Sequence, residues 1–167
     1  GHLVKEIDAL GGIMGRAADK SCLQFKTLNK SKGRAVWGPR AQVDKIKYAN
    51  SSKSFLNKHK NFNVISEEVV DLIVKNNKVI GVFTSSKTAF YSDAVIVTTG
   101  TFLNGLIHIG KDNSSAGRIG EKAATNLTDS IINLGFETGR LKTGTPPRIE
   151  AKSIDWKKLE PSLGDDN

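Results

Sequence analysis

Leu3, Val4, Ile7 and Leu10 recur at helical spacing and stop at Gly11-Gly12, which predicts a first helix ending there. Val43, Ile46, Ala49 and Leu56 repeat the spacing, with mostly Lys, Asn and Ser on the opposite face. A second helix is therefore expected from near Ala41 to Lys58. Between the two, Cys22 is assigned to a helical stretch and read as a packed thiol. Lys30-Ser31-Lys32-Gly33-Arg34 reads as a polar loop.

The middle of the chain changes period. Phe62–Ser66, Glu68–Lys75, Lys78–Phe83 and Thr88–Tyr91 are short β-branched segments separated by turn residues, as in a β-meander. Asn76-Asn77 sits between two of them as a two-residue hairpin turn, because Asn tolerates positive φ. Ala94-Val95-Ile96-Val97 is continuously apolar and ends at Thr98-Thr99-Gly100, which predicts a strand buried on both faces, as in a parallel sheet. Gly100 to Gly120, rich in Gly, Asn and Ser, is read as loop. Ala124, Leu127, Ile131 and Leu134 mark a third helix closed by Gly135. Residues 139–148 are too rich in Gly and Pro for regular structure, and Ser162–Asn167 reads as a frayed or truncated tail.

The expected fold class is α/β. A meander followed by a buried strand ending in a small-residue turn is how an FAD-binding Rossmann-type domain finishes, and ligands bind beyond the C-terminal ends of such strands. The G-x-G-x-x-G fingerprint that cradles a dinucleotide pyrophosphate is not in the sequence. The domain is thus expected to be incomplete, lacking its first βαβ unit. Residues 1–105 are assigned to this partial domain with its meander. Residues 106–167 are assigned to a loop-rich segment with one helix, leading into a following subdomain.

Composition narrows the partners. The 167 residues carry a net charge of +8, with 38% apolar residues. Arg16 to Lys60 holds twelve Lys or Arg against Asp19 and Asp44. A basic block of this size favours a nucleic-acid partner through counterion release, although a lysine-rich solvated face accounts for it equally well. No apolar run approaches the ~20 residues of a membrane span. One cysteine excludes an internal disulfide and a Cys-based zinc site, and an intracellular, cytoplasmic protein is expected. The first residue is Gly1 rather than Met, so the sequence is expected to be an internal piece of a longer chain.

Two stretches concentrate candidate chemistry. Lys32 to Gln42 sets cations beside Trp37, suited to phosphate and to stacking on a base or flavin, just before the second helix. Arg140 to Arg148 mixes three cations with Thr and a Pro pair, as a rigid loop holding an anion would. A basic loop around a core Trp and a purely structural Pro turn explain the same residues. His2, His59 and His108 stand far apart without metal-ligand spacing, so no metal site is expected. From the residues alone the reading ends at part of an α/β nucleotide-binding domain with a basic flank.

Four stretches then resemble one family. GHLVKEIDALGG (Gly1–Gly12), KGRAVWGPRAQVD (Lys32–Asp44), TTGTFLNGLIHIG (Thr98–Gly110) and GRLKTGTPPRI (Gly139–Ile149) are similar to the MnmG/GidA family of tRNA-modifying flavoenzymes. The linking segments match in length and pattern, so the resemblance covers nearly the whole chain. It implies FAD, NADH and methylenetetrahydrofolate as cofactors. It also implies an MnmE-type GTPase partner and addition of an aminomethyl or carboxymethylaminomethyl group to C5 of wobble uridine 34 in tRNA. A homodimer is implied for the full-length protein.

Carried over by position, Val69 is expected to meet the FAD adenine through its backbone, with Thr99, Gly100 and Thr101 forming the turn beside the cofactor. Ala124 stands where relatives can have an FAD-contacting Ser, so backbone alone is left for that contact. Lys32, Arg40, Gln42, Arg140, Lys142 and Arg148 are the expected substrate-binding set, on the flavin–substrate side or the tRNA path. Arg34 departs from the Pro usual after Lys-Gly and is expected to loosen its loop. The family's catalytic cysteines are expected outside this sequence, and Cys22 corresponds to neither, so no catalytic residue is assigned. The isolated piece is expected to be inactive and to hold FAD weakly. Two alternatives stay open: a folate- and FAD-dependent methyltransferase acting on tRNA uridine 54, and a truncated, non-catalytic tRNA- or partner-binding module.

Overall fold

The computed structural model describes residues 1–165, and the chain divides into two compact units, one built from Gly1–Val64 with the segment from Pro147 onward, the other from Ile65–Pro146. This partition differs from a division at residue 105. No helix among the described residues is long and apolar enough to cross a membrane.

The first unit opens with α1 (His2–Ala9), which stops before Gly11-Gly12 as its apolar spacing predicts. Its apolar face is not covered: Leu3 and Leu10 are 78% and 90% exposed. The short helix α2 (Met14–Lys20) follows, and its Ala17 is buried. Cys22 then begins a strand, β1 (Cys22–Leu28), and is exposed, so neither the helical assignment nor the packed thiol holds. The helix instead ends at Ser21, whose hydroxyl donates to the Ala17 carbonyl at 2.7 Å while its own carbonyl accepts from Asp44 N–H at 2.9 Å.

β2 (Gly38–Val43) pairs antiparallel with β1, placing Arg40 opposite Lys26 and Gln42 opposite Gln24. The second helix therefore starts later than expected: α3 spans Lys45–Leu56. Asp44 sets that start, since its Oδ1 accepts from the N–H groups of Ile46 and Lys47 at 2.9 and 2.8 Å. The face expected to be apolar is not the buried one. Ile46 is 72% exposed, whereas Phe55 is 6% exposed.

The tail, expected to be frayed, is docked as far as Asp165, and Asp166 and Asn167 lie outside the described residues. Gln24 Nε2 donates to the Ser162 carbonyl at 2.7 Å, and Lys26 Nζ donates to Ser162 Oγ at 3.0 Å. Asp165 N–H donates to the Phe25 carbonyl at 2.8 Å, and Asp165 Oδ2 accepts from Thr27 N–H at 2.7 Å. The segment thus adds backbone pairing to the open edge of β1.

In the second unit β3 (Val69–Lys75), β4 (Lys78–Thr84) and β5 (Ala89–Tyr91) form the expected meander, antiparallel in chain order. Asn76 and Asn77 turn the first hairpin at φ 50° and 60°. Phe62–Ser66 forms no strand. Ala94–Val97 is not a buried strand either: nothing pairs with it among the described residues, and Ile96 is 85% exposed. Its apolarity suits an inner strand, but no neighbour offers it a ladder here.

The segment expected as loop contains a hairpin, β6 (Leu106–Ile109) with β7 (Asp112–Ser115). β7 reads Asp-Asn-Ser-Ser and is exposed throughout, so only backbone pairing reveals it. The last helix, α4 (Leu127–Asn133), ends before Gly135 as expected but excludes Ala124. Leu127 is buried at 5% exposure, and Ser130 ties α4 to β3, donating to Asp71 and accepting from Leu72 N–H at 3.1 Å. Residues 136–150 form no regular structure, in line with their Gly and Pro content.

Candidate functional site

The turn after Ala94–Val97 is built from its backbone outward. Phe102 N–H donates to the Thr99 carbonyl at 3.2 Å, closing a turn through Gly100 and Thr101. Gly100 sits at φ +57°, a left-handed conformation that a β-branched residue resists, and space beyond its Cα is open to 4 Å. The Thr101 hydroxyl donates to the Gly117 carbonyl at 3.1 Å.

Gly117 itself lies flat against the Phe102 ring, where a Cβ would collide with the ring carbons. The segments around Thr101 and Gly117 are therefore locked together by a hydroxyl on one side and a ring on the other.

Asn104 is the hub of this knot. At φ 46° it turns the chain so that its N–H donates to the Ala124 carbonyl at 2.7 Å, and Ala124 N–H donates to the Phe102 carbonyl at 2.9 Å. Leu103 and Ala124 form a parallel bridge between these bonds. Arg140 then reaches back, its Nη2 donating to the Asn104 carbonyl at 3.0 Å. Thr99, Gly100, Thr101, Ala124 and Arg140 are thus joined through Asn104 and Phe102. Ala124 uses both of its backbone polar groups in this ladder, which leaves the second lone pair of its carbonyl for any ligand.

Sequence reasoning missed Asn104, Phe102 and Gly117. The available signal was Asn104-Gly105 within a loop, a pair that favours left-handed backbone.

The other expected residues lie elsewhere. Val69 opens β3 opposite Thr84, at a register shift between Val69 and Asp71, and no hydrogen bond among the described residues joins it to the Thr99–Thr101 turn. Lys142 belongs to the same unit and makes no hydrogen bond or ion pair among the described residues.

Lys32, Arg40, Gln42 and Arg148 belong to the first unit. Arg40 and Gln42 are two residues apart on β2 and share its exposed face, rather than lying in a loop before a helix. The Lys32 carbonyl accepts from Trp37 Nε1–H at 3.0 Å, so the indole polar atom is committed to the chain itself. Arg34 takes part in the structure of this loop. It opens the 3-10 turn Arg34–Val36, and its guanidinium carbon stands 5.7 Å from the Trp37 ring centroid.

The electrostatics of the first unit include one strongly perturbed group. Lys30 Nζ donates to Asp165 at 2.7 Å, and with Thr27 N–H it holds that carboxyl down to about 2, from an ordinary value of 3.8.

Known proteins share this arrangement of sequence and fold. Residues 1–167 match the family described as Glucose inhibited division protein A. The protein named tRNA uridine 5-carboxymethylaminomethyl modification enzyme MnmG from Karelsulcia muelleri is 50% identical over 165 residues, which is 99% of this chain and 27% of that protein. Its namesake from Thermodesulfovibrio yellowstonii is 52% identical over 166 residues, again 99% of this chain and 27% of that one. The structure of Aquifex aeolicus GidA in its form II crystal superimposes with a TM-score of 0.87 at 48% identity, covering 98% of this chain and 27% of that chain. The chain thus spans roughly a quarter of the length of these relatives.

Proposed function

Since the chain belongs to the Glucose inhibited division protein A family, matched along its whole length, we propose that it is part of an FAD-dependent enzyme that modifies the wobble uridine of tRNA. The full-length protein adds an aminomethyl or carboxymethylaminomethyl group at C5 of uridine 34, with NADH and methylenetetrahydrofolate as co-reactants and an MnmE-type GTPase as partner. It works as a cytoplasmic homodimer. The observation that carries this reading is the 50% identity, across nearly every residue, to a relative named for that modification.

In this reading Ala94–Val97 is an inner strand of an FAD-binding Rossmann-type sheet completed by the rest of the protein. That assignment suits the continuous apolarity of the run and the exposure of Ile96. The Thr99–Thr101 turn then stands at the strand end, where such sheets bind ligands.

The residues present fit the cofactor at one place in particular. Gly100 offers open, side-chain-free backbone, and the bonds from Thr101 to Gly117 and from Asn104 to Ala124 hold that backbone still. Val69 contributes backbone from the start of β3. Arg140, fastened at Asn104, and Lys142 supply positive charge toward phosphate or tRNA, as do Lys32, Arg40 and Arg148 in the first unit, where Gln42 adds a neutral hydrogen-bonding amide. When bound, the flavin supplies the redox and one-carbon transfer chemistry. The chain's own part is to seat it and to attract the anionic substrate.

The test is the flavin content of the full-length protein carrying Gly100→Val. A β-branched residue at positive φ deforms the turn, and flavin is expected to bind several-fold more weakly. Unchanged flavin content in that variant would remove the turn from the cofactor site.

A further inference from the structure

A second concentration of charge, untouched by the proposed flavin contacts, lies on the helical face of the first unit. Phe55 closes the last turn of α3 and is only 6% exposed, and three cations surround its ring. Lys20 Nζ stands 4.7 Å from the ring centroid, the Arg16 guanidinium carbon 4.8 Å and Lys58 Nζ 5.6 Å. Arg16 and Lys20 are one turn apart on α2 and so project from the same side of that helix. Lys58 follows α3 directly.

The ring quadrupole attracts each cation but does not cancel the repulsion among them. None of the three pairs with a carboxylate among the described residues. The two acidic residues of the basic block offer no relief: Asp44 is committed to capping α3, and Asp19 forms no ion pair. All three cationic residues remain exposed while the ring beneath them is covered. Lys45, Lys47, Lys53 and Lys60 continue the positive charge along and beyond α3.

Three unneutralised cations held on one ring form a preset receptor for a polyanion, because bridging phosphates remove the repulsion and release counterions. The buried ring is closed to base stacking, so the contact reads phosphate and not sequence. The same covering leaves no aromatic wedge for a lipid surface.

We infer that the α2–α3 face centred on Phe55, with Arg16, Lys20 and Lys58, is a sequence-independent docking site for the phosphate backbone of the RNA substrate. This rests on the tRNA reading given above and adds a surface distinct from the expected flavin-side residues.

The experiment measures tRNA affinity of the full-length protein against salt concentration, for the wild type and for Arg16→Gln/Lys20→Gln/Lys58→Gln. The slope of log affinity on log salt is expected to shrink by about 2 to 3 in the triple variant, at roughly 0.7–0.9 per phosphate contact. Flavin content should not change. Lys58→Gln alone, outside both helices, is expected to remove about one such contact and covers the case of a triple variant that does not fold. Lys20→Arg/Lys58→Arg should keep the wild-type slope.

A triple variant that binds tRNA with an unchanged slope overturns the inference and leaves the function standing. A wild type that holds flavin but binds no tRNA overturns the function itself. If the triple variant instead loses binding to phosphatidylserine vesicles while tRNA binding is unchanged, the face belongs to a lipid surface and the RNA assignment fails.

Discussion

Lys30 Nζ and Asp165 Oδ1 lie 2.7 Å apart although 135 residues separate them in sequence. The pair closes the seam along which residues 162–165 dock on β1. The Lys30 side chain is 52% exposed and that of Asp165 21% exposed, so water and salt screen the attraction. The carboxylate also accepts from Thr27 N–H, which fixes where the segment lies along the strand.

That geometry gives the docked segment a pH dependence. The Asp165 carboxyl is lowered to about 2, first by Lys30 and then by the Thr27 N–H, from 3.8. Its contribution is fully present above 3.8 and is lost as pH falls through about 2. Hydrogen exchange of the peptide containing Thr27 should accelerate across that window, after correction for the intrinsic pH effect. Asp165→Asn should show faster exchange at neutral pH and no such window. Equal protection in both proteins at neutral pH would show that the carboxylate does not hold the segment.

Gly117 predicts a packing cost. A methyl group there meets the Phe102 ring, and Phe102 is half-buried. Gly117→Ala is expected to destabilise the full-length protein by about 1–3 kcal/mol, a typical overpacking penalty. Thermal melting measures it. An unchanged melting temperature would mean that Phe102 moves aside freely and the knot at Asn104 is not rigid.

Charge reversal tests the expected anion-binding residues. Arg40→Glu on the exposed face of β2 and Lys142→Glu in the Gly- and Pro-rich segment should each reduce flavin content or tRNA affinity by tenfold or so, roughly 1.4 kcal/mol. Binding titrations and flavin absorbance read both. If both variants keep wild-type values in both assays, these cations are ordinary surface charge.

Local signals were read correctly and distant ones were not. The C-terminal ends of α1 and α4 and the Asn76-Asn77 turn follow from a few adjacent residues, and they stand where the pattern puts them. The sequence pattern divides β2 between a loop and the start of a helix near Ala41 because the strand's alternation is short, and the decisive cap, Asp44, lies between strand and helix. Cys22 was misplaced for a related reason: the turn at Ser21 depends on its carbonyl meeting Asp44, twenty-three residues away. β7 is polar throughout and owes its shape to a partner strand.

The sequence shows which residues belong to the candidate site but not the bonds that join them. Thr99, Gly100, Thr101 and Arg140 follow from a strand-end turn, a cationic Pro-containing loop and motif resemblance, but the bonds joining them run through Asn104, Phe102 and Gly117. Those bonds span up to 36 residues and depend on side chains meeting in the folded chain. The docking of Asp165 and the cation cluster on Phe55 are likewise tertiary facts, invisible to periodicity.

Nucleoside mass spectrometry of tRNA from cells with and without the full-length protein tests the proposed function. Removal of the protein is expected to abolish the aminomethyl or carboxymethylaminomethyl group at C5 of uridine 34, and its return to restore it. Intact uridine 34 modification in its absence, with loss of a methyl group at uridine 54 instead, would overturn the proposed function.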